Sequence, residues 1–513
     1  MSDSCSSSAP IDLDRHATQE TASQPSKYGD MKLPAVHASL QKFSLYETAL
    51  RFYLVGSNES QTRFKILKID KMPEMVEEHA DPPTLNCVSD SGEYSASQIR
   101  EVLGYISDSV EKLGGITLLH KAYGIFGFIR FLQGYYLILI TNRRLVANIG
   151  PHKIYECVET TMVPLFQKRK QRFFSKDLEK RYRELFRSFK IGKNFYFSHT
   201  YNLTHTLQYH MQVAAETHHT PIEQKYSWNE FLLEPFAKNV TDPEWILHVI
   251  HGCVSQNRIN VLGRGVSIVL IARRSRYFAG TRYLKRGVND QGHVANEVET
   301  EQIVYDSTSM NNTQRTGLLT SVVQVRGSVP VFWSHDVVSK KVIAPKPRVV
   351  MGSFDPFFEA SRLHFEDLFR RYGAPTIVLD LLKTREHETE LRETLVHDAF
   401  DQAVTYLNQH LPEDLKIRHI HWDFRSAAKK NIGEALTTLS VIAETVVDRT
   451  KIFCNHRACN TTQELFRVQE SGKEVQDFSL QEGVLRTNCL DCLDRTNIAQ
   501  FMFGKTALAH QLN

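Results

Sequence analysis

Between Leu485 and Asn497 the chain reads LRTNCLDCLDRTN, and two chemistries fit this stretch. Cys489 and Cys492 form a C-x-x-C pair, the spacing of a redox couple or of half a metal site. Cys489 and Arg495 form C-x5-R followed by Thr496, the spacing of a loop that cradles a phosphate monoester. A free cysteine, with a pKa of about 8.5, is mostly protonated at neutral pH. Set in a tight loop ahead of a helix, its sulfur faces backbone N–H groups and the positive end of the helix dipole. Both favour the thiolate and bind an anion's oxygens. An arginine six positions on can fold back and hold two of those oxygens in a fork.

On the phosphate reading Cys489 attacks phosphorus and Arg495 stabilises the equatorial oxygens. Asn488, Leu490, Asp491, Cys492, Leu493, Asp494 and Thr496 complete the cradle, with Thr496 placed to hydrogen-bond the sulfur. A carboxyl group beside bound phosphate has its pKa raised by like-charge repulsion, which suits proton donation to a leaving alkoxide. Asp491 is the expected general acid and Asp494 the alternative. A zinc site would have to join Cys489 and Cys492 to Cys454 and Cys459, or to His456, across a 29-residue gap. That arrangement leaves C-x5-R without a purpose, so no metal is expected at the site. The phosphocysteine chemistry needs no cofactor, and a magnesium dependence is not readable from the residues.

Such a loop needs a buried strand before it and a helix after it. Glu482-Gly483-Val484-Leu485 reads as the strand. After the loop, Ile498, Phe501, Met502, Leu508, Ala509 and Leu512 share one helical face. Upstream, VSIVLIARR, SVPVFW and PTIVLDLL read as strands, and 391–409 and 432–449 as helices. The first of these helices carries a stripe of Leu391, Leu395, Ala399, Ala403 and Leu407. Strands alternating with helices predict an α/β fold.

The 513 residues divide into three expected parts. Residues 1–34 form a polar, disordered tail. Residues 35–190 form a first α/β subdomain, opening with two β-rich runs around Gly56-Ser57-Asn58 and a helix through Ile99, Val102, Leu103, Ile106, Val110 and Leu113 that stops at Gly114-Gly115. Residues 191–513 form a larger catalytic α/β domain, with 305–317 as a loop. Lys168 to Lys190 holds ten basic and three acidic residues, either a solvated linker helix or a face for anionic lipid. Arg273, Arg274, Arg276, Arg282, Lys285 and Arg286 form a run of cations without an intervening acid. It reads as a polar hairpin face or as a rim that recruits a polyanionic substrate. Glu297, Glu299 and Glu301 follow with period two.

A net charge of +4 and the absence of a nucleic-acid module argue against RNA or DNA as a partner. Eight scattered cysteines do not make a disulfide scaffold, and no run of eighteen apolar residues occurs. The cytosol or a cytosol-facing membrane surface is the expected compartment.

RTNCLDCLDRTN resembles the R-x-N-C-x-D-C-L-D-R-T-N signature of the Sac-domain phosphoinositide phosphatases. FYFSHTYNLTHTLQ, LIARRSRYFAGTRYLKRGVNDQGHVANEVETEQI, RGSVPVFW and HFEDLFRRYG support the resemblance, which runs from about residue 43 to 513. LYETALRFYLVGSN, GFIRFLQGYYLILIT and WDFRSAAKKN are most similar to the endolysosomal branch of that family. The resemblance implies an N-terminal Sac subdomain packed on an α/β catalytic domain, with Cys489 as nucleophile and Arg495 as phosphate-gripping residue. It implies phosphatidylinositol 3,5-bisphosphate as substrate, cleaved at the 5-phosphate. It also implies peripheral attachment to endosomal, lysosomal or vacuolar membranes, a HEAT-repeat scaffold and phosphatidylinositol 3-phosphate 5-kinase as partners. A cysteine-dependent protein phosphatase and a non-catalytic scaffold are the competing readings. Asn202 stands where the family usually has Asp, and a local structural change is expected there. The family's members continue beyond the point where this chain stops, so the catalytic domain is expected to be truncated.

Overall fold

The computed structural model describes residues 39–72, 84–166, 176–189, 191–213, 221–281, 284–306, 318–335, 349–353, 355–383, 393–455, 479–490 and 494–512. The tail, residues 307–317 and residues 168–175 of the basic stretch lie outside them, and of the loop expected over 305–317 Tyr305 and Asp306 belong to a strand. Five strands come first: β1 (Lys42–Glu47), β2 (Arg51–Ser57), β3 (Phe64–Asp70), β4 (Cys87–Ser89) and β5 (Thr117–Ala122), in the order β4-β3-β2-β1-β5. The turn expected at Gly56-Ser57-Asn58 falls later: Gly56 and Ser57 are still paired with β3, and the chain reverses over 58–63, where Asn58 Oδ1 accepts the Thr62 N–H at 2.9 Å. An earlier turn divides the first run as well, because Thr48 N–H donates to Arg51 O (2.9 Å) and Arg51 N–H to Thr48 Oγ1 (3.1 Å). Helix α1 (Ala96–Ser109) begins at a capping box, with Gln98 Oε1 accepting the Ser95 N–H at 2.8 Å. The helix ends at Ser109, earlier than expected, and a separate 3-10 turn over Glu111–Leu113 carries the chain to Gly114, which at φ 104° sits in the left-handed region.

The second sheet starts with β6 (Ile125–Arg130), β7 (Tyr135–Ile149) and β8 (His152–Pro164). After α2 (Lys176–Ser188) come β9 (Phe195–Phe197), α3 (Leu207–Val213), α4 (Glu230–Ala237), β10 (Ile250–Val261), β11 (Arg264–Arg274), β12 (Val298–Asp306) and β13 (Leu319–Ser328). A ribbon of β14 (Trp333–His335) and β15 (Val349–Met351) precedes α5 (Glu359–Tyr372), β16 (Thr376–Asp380), α6 (Glu393–His410) and β17 (Arg418–His421). The chain ends with α7 (Phe424–Lys430), α8 (Ile432–Thr450), β18 (Phe453–Cys454), β19 (Val484–Cys489) and α9 (Asp494–Leu512).

The strand order is β17-β16-β19-β13-β12-β11-β10-β9-β8-β7-β6. Pairing is antiparallel from β6 to β13 and parallel from β13 through β19 and β16 to β17. The expected boundary at residue 190 is not a break in this sheet, since β9 pairs with both β8 and β10. The two sheets also share a core, where Leu45, Phe52 and Leu54 pack with Phe128, Leu137 and Trp245. No helix of the described residues is long and apolar enough to cross a membrane.

Parallel strands carry apolar residues toward both faces, and helices cover both. Ile377, Leu379 and Leu485 pack under α8 and α9 with Leu439, Val446 and Phe503. Val378 packs on the other face with Phe365, Val396 and Phe400 of α5 and α6. The α6 stripe is therefore rotated from the expected one: Val396, Phe400, Ala403, Val404 and Leu407 are buried, while Leu395 is 37% exposed. Turning Phe400 inward in place of Ala399 removes more apolar area from water.

Burial in the sheet also explains the period-two glutamates. Glu297, Glu299 and Glu301 all point inward and are buried. Arg273 Nη1 lies 2.8 Å from Glu299 Oε1 and its Nη2 2.6 Å from Glu301 Oε2. Arg371 Nη2 reaches Glu299 Oε2 at 2.6 Å, and Lys225 Nζ meets Glu297 Oε1 at 2.5 Å. Burial alone would raise the Glu299 pKa, but the charges of Arg371 and Arg273 override it and hold the carboxyl below its ordinary value. Removing one charge from such a pair strands its partner. Glu299→Gln should cost about 3 kcal/mol in urea unfolding at neutral pH. A depressed carboxyl stabilises above its unfolded pKa of about 4.3 and loses that contribution as pH falls, so the difference should shrink in acid. A cost below about 1 kcal/mol at neutral pH would contradict the network's role.

Candidate active site

β19 is hydrogen-bonded on both edges, with Asn488 level with Gly327 of β13 and Asp380 of β16, and Cys489 level with Ser328. The backbone of Cys489 therefore stands at the carboxyl end of the parallel strands, where open α/β sheets take their ligands. Leu490 packs against the apolar cluster of α5 and α6. α9 starts at Asp494, so Arg495 lies in the first turn of a helix whose amino end follows the loop directly. Strand and helix stand in the expected order, and residues 491–493 between them lie outside the described residues.

The face that α9 buries is not the expected one. Thr496, Ala499, Met502, Phe503, Thr506, Ala507 and Gln511 are buried, whereas Phe501 is 68% exposed. Polar residues can lie inside because they are paired. Gln302 Nε2 donates to Gly504 O (3.0 Å) and Gln511 Oε1 (2.8 Å), and Gln511 Nε2 to Thr320 Oγ1 (3.1 Å). Gly504 permits the close approach, since a Cβ there would come 3.2 Å from Gln302 Oε1.

Arg495 is held from behind. Its Nη1 donates to Glu393 Oε2 (2.7 Å) and Leu381 O (2.9 Å), and its Nη2 to Glu393 Oε1 (3.1 Å). Glu393 opens α6, is buried, and also accepts the Lys383 N–H at 3.1 Å. This fork fixes the plane of the guanidinium. Deeper in the site, Arg486 is fully buried. It donates to His364 Nε2 (2.9 Å), to Ser328 O (2.6 Å) and to Asn488 Oδ1. Burial pushes the Arg486 guanidinium down to about 10. Burial, reinforced by the Arg486 charge, holds His364 well below its ordinary value, so the imidazole is neutral and accepts. Asn488 Nδ2 is buried with no acceptor among the described residues. Arg326, whose backbone is level with Thr487, donates through Nη1 to Asn497 Oδ1 at 2.6 Å.

The other expected site residues divide sharply. Asp491, Cys492, Leu493 and Arg282 lie outside the described residues. Asp494 is exposed and Thr496 buried, both in the first turn of α9. Arg273 is no part of a cationic rim. It is fully buried because Glu299 and Glu301 neutralise it inside the sheet. Arg286 is also buried, its guanidinium 5.9 Å from the Trp333 ring. Arg274 and Lys285 are half-buried, Arg274 donating to Gly280 O at 3.0 Å and Lys285 lying 4.6 Å from the Phe278 ring. Asn202 opens a turn in which its Oδ1 accepts from Thr204 N–H (3.0 Å) and Oγ1 (2.7 Å). Glu393 and Arg326 were not singled out from the sequence, and no spacing rule ties either to Arg495.

A family model described as the SacI homology domain matches residues 123–429. The chain belongs to the SacI homology family. It is 36% identical to the phosphatidylinositol-3-phosphatase SAC1 of Arabidopsis thaliana, over 93% of this chain and 56% of that protein. It is 36% identical to the phosphoinositide phosphatase SAC2 of the same plant, over 92% and 61%. The polyphosphoinositide phosphatase of Schizosaccharomyces pombe is 37% identical, over 94% and 54%. The chain thus spans between about half and three-fifths of the length of these relatives.

If Glu393 sets the plane of Arg495, anion capture should depend on it. Orthovanadate should bind Glu393→Gln about tenfold or more weakly than the natural chain by calorimetry. Equal affinity would show that the fork does not prepare Arg495 for an anion.

Proposed function

We propose that this SacI-family chain is a phosphoinositide phosphatase acting through a phosphocysteine, with the 5-phosphate of phosphatidylinositol 3,5-bisphosphate as its preferred target. The observation that carries the proposal is Arg495, clamped by Glu393 and Leu381 O at the amino end of α9, directly after the strand that delivers Cys489. The buried, unpaired Asn488 amide beside Cys489 adds a donor suited to an anion. The names of the relatives support an inositol-lipid substrate.

In the proposed reaction the Cys489 thiolate attacks phosphorus. The P–S bond forms as the P–O bond to the inositol ring breaks, and the Asp491 carboxyl gives its proton to the leaving alkoxide. Asp491 then takes a proton from water, which attacks phosphorus. The P–S bond breaks, releasing phosphate and the thiolate, while Arg495 holds the equatorial oxygens in both steps. No metal takes part in these steps. The setting is a cytosol-facing endosomal, lysosomal or vacuolar membrane, in company with a HEAT-repeat scaffold and the opposing lipid 5-kinase.

The contact with that membrane is assigned to α2. Glu179 ties one face to the protein, its carboxylate accepting from Leu132 N–H (2.9 Å), Gln133 N–H (3.2 Å) and Tyr136 O–H (2.6 Å). Leu178, Leu185 and Phe189 are 50%, 57% and 79% exposed beside Tyr182, which is 47% exposed and stacks on Phe131 at the edge of the same stripe. Apolar residues at this spacing on a strongly basic segment suit an anionic interface.

One experiment tests both parts: phosphate release from a panel of phosphoinositides in phosphatidylserine vesicles, from the same lipids as soluble short-chain forms, and from phosphopeptides. The natural chain should favour the 3,5-bisphosphate, and Cys489→Ser should abolish release in every form. Leu185→Asp with Phe189→Asp should depress vesicle activity and spare the soluble lipid. Preference for phosphopeptides would overturn the lipid assignment, and unchanged turnover in Cys489→Ser would overturn the mechanism.

A further inference from the structure

Beside the phosphate loop lies a second cluster that the reaction does not use. Asp380 ends β16, and its side chain is fully buried. Its Oδ1 accepts the Leu382 N–H at 3.1 Å, which leaves Oδ2 facing three imidazoles. His397, one helical turn after Glu393 on α6, places Nδ1 2.9 Å from Oδ2. His419 and His421 form an H-x-H pair on β17, where period two puts both rings on one side, with their planes 17° apart. His421 stacks on His397 with centroids 3.5 Å apart. One ligand atom from each of Asp380, His397 and His421 lies within 4.8 Å of the others.

We propose that Asp380, His397 and His421 bind one divalent transition-metal ion of the zinc type, with His419 completing or bordering the site. His419 carries the argument beyond the cluster itself. Its side chain is 10% exposed, and its Nδ1 lies 3.2 Å from Asp401 Oδ1. With Nδ1–H donated to that carboxylate, Nε2 presents a bare lone pair. That atom is buried, has no hydrogen-bond partner among the described residues, and stands 3.6 Å from Asp380 Oδ2. A nitrogen lone pair and a carboxylate oxygen facing each other in a protected site repel unless a positive charge lies between them. An Asp–His–metal relay is the usual way of orienting a ligating imidazole. His421 is oriented similarly, with its Nε2 3.3 Å from Leu382 O, which leaves Nδ1 for a ligand.

The donor set chooses the metal. Imidazoles with one carboxylate suit zinc-like ions, whereas magnesium and calcium take oxygen. Tetrahedral bonds of about 2.0–2.2 Å place neighbouring ligand atoms about 3.3–3.6 Å apart, so Asp380 Oδ2 and His397 Nδ1, now 2.9 Å apart, would open slightly around an ion that His421 joins. The ion would join α6 to β16 and β17. α6 also carries Glu393, and Asp380 is level with Asn488, so the clamp would brace the framework that holds Arg495.

The test is zinc chloride titrated into the metal-stripped full chain, followed by calorimetry and thermal melting, with magnesium chloride as control. One zinc per chain should bind and raise the melting temperature, while magnesium should do neither. His397→Gln with His421→Gln, confirmed as folded by circular dichroism, should weaken zinc binding about tenfold or more. Absence of zinc binding would overturn the proposal, as would undiminished binding in the double variant, which would place the ion elsewhere. If the charge between His419 and Asp380 is only a proton, zinc will leave the melting temperature unchanged.

Discussion

The site depends on one short strand being locked on both edges. β19 is parallel to β13 on one side and to β16 on the other, and its residues lie inside the sheet. A one-residue slip would exchange the faces of Arg486 and Thr487 and carry the Cys489 loop along the sheet. Double-edged pairing makes such a slip costly, because every ladder bond on both sides would have to re-form. The loop thus inherits its place from the sheet, and α9 inherits its start from the loop.

Charge inside this framework is managed by pairing. Arg273 binds Glu299 and Glu301, Lys225 binds Glu297, and Arg495 binds Glu393. Arg486 has a different environment, with a neutral histidine, a backbone carbonyl and an amide as partners. No carboxylate among the described residues bonds it directly, and the charges of Glu297 and Asp380 partly offset its burial from a distance. Arg486 stands on the strand that ends at Cys489. Pairing with Glu299 and Glu301 takes Arg273 out of the run of cations read from the sequence.

Much of the site's frame was legible in the sequence. The C-x5-R spacing, the apolar approach and the helical periodicity after the loop are local signals, and the strand–loop–helix order follows from them. Faces were harder to read. On α9 the expected stripe included Phe501, yet paired glutamines turn Gln511 inward and leave Phe501 exposed. On α6 the expected stripe ran through Ala399, and the bulk of Phe400 rotated the helix. Arg273 reads as a surface cation because its neutralising glutamates are 26 and 28 residues away and meet it only across a strand pair. Glu393 lies 102 residues from Arg495, and the ligands around Asp380 come from three separate elements, so no sequence window contains either site. Long-range pairing decides these features, and a linear pattern carries no record of it.

The account rests on Cys489 being the atom that receives phosphate. The most direct measurement is a rapid acid quench during turnover of phosphatidylinositol 3,5-bisphosphate, followed by mass spectrometry of the digested protein. The account predicts a transient phosphate on the peptide that contains Cys489, absent from Cys489→Ser. Turnover at the same rate with no phosphorylated enzyme, or with phosphate on any other residue, would contradict it.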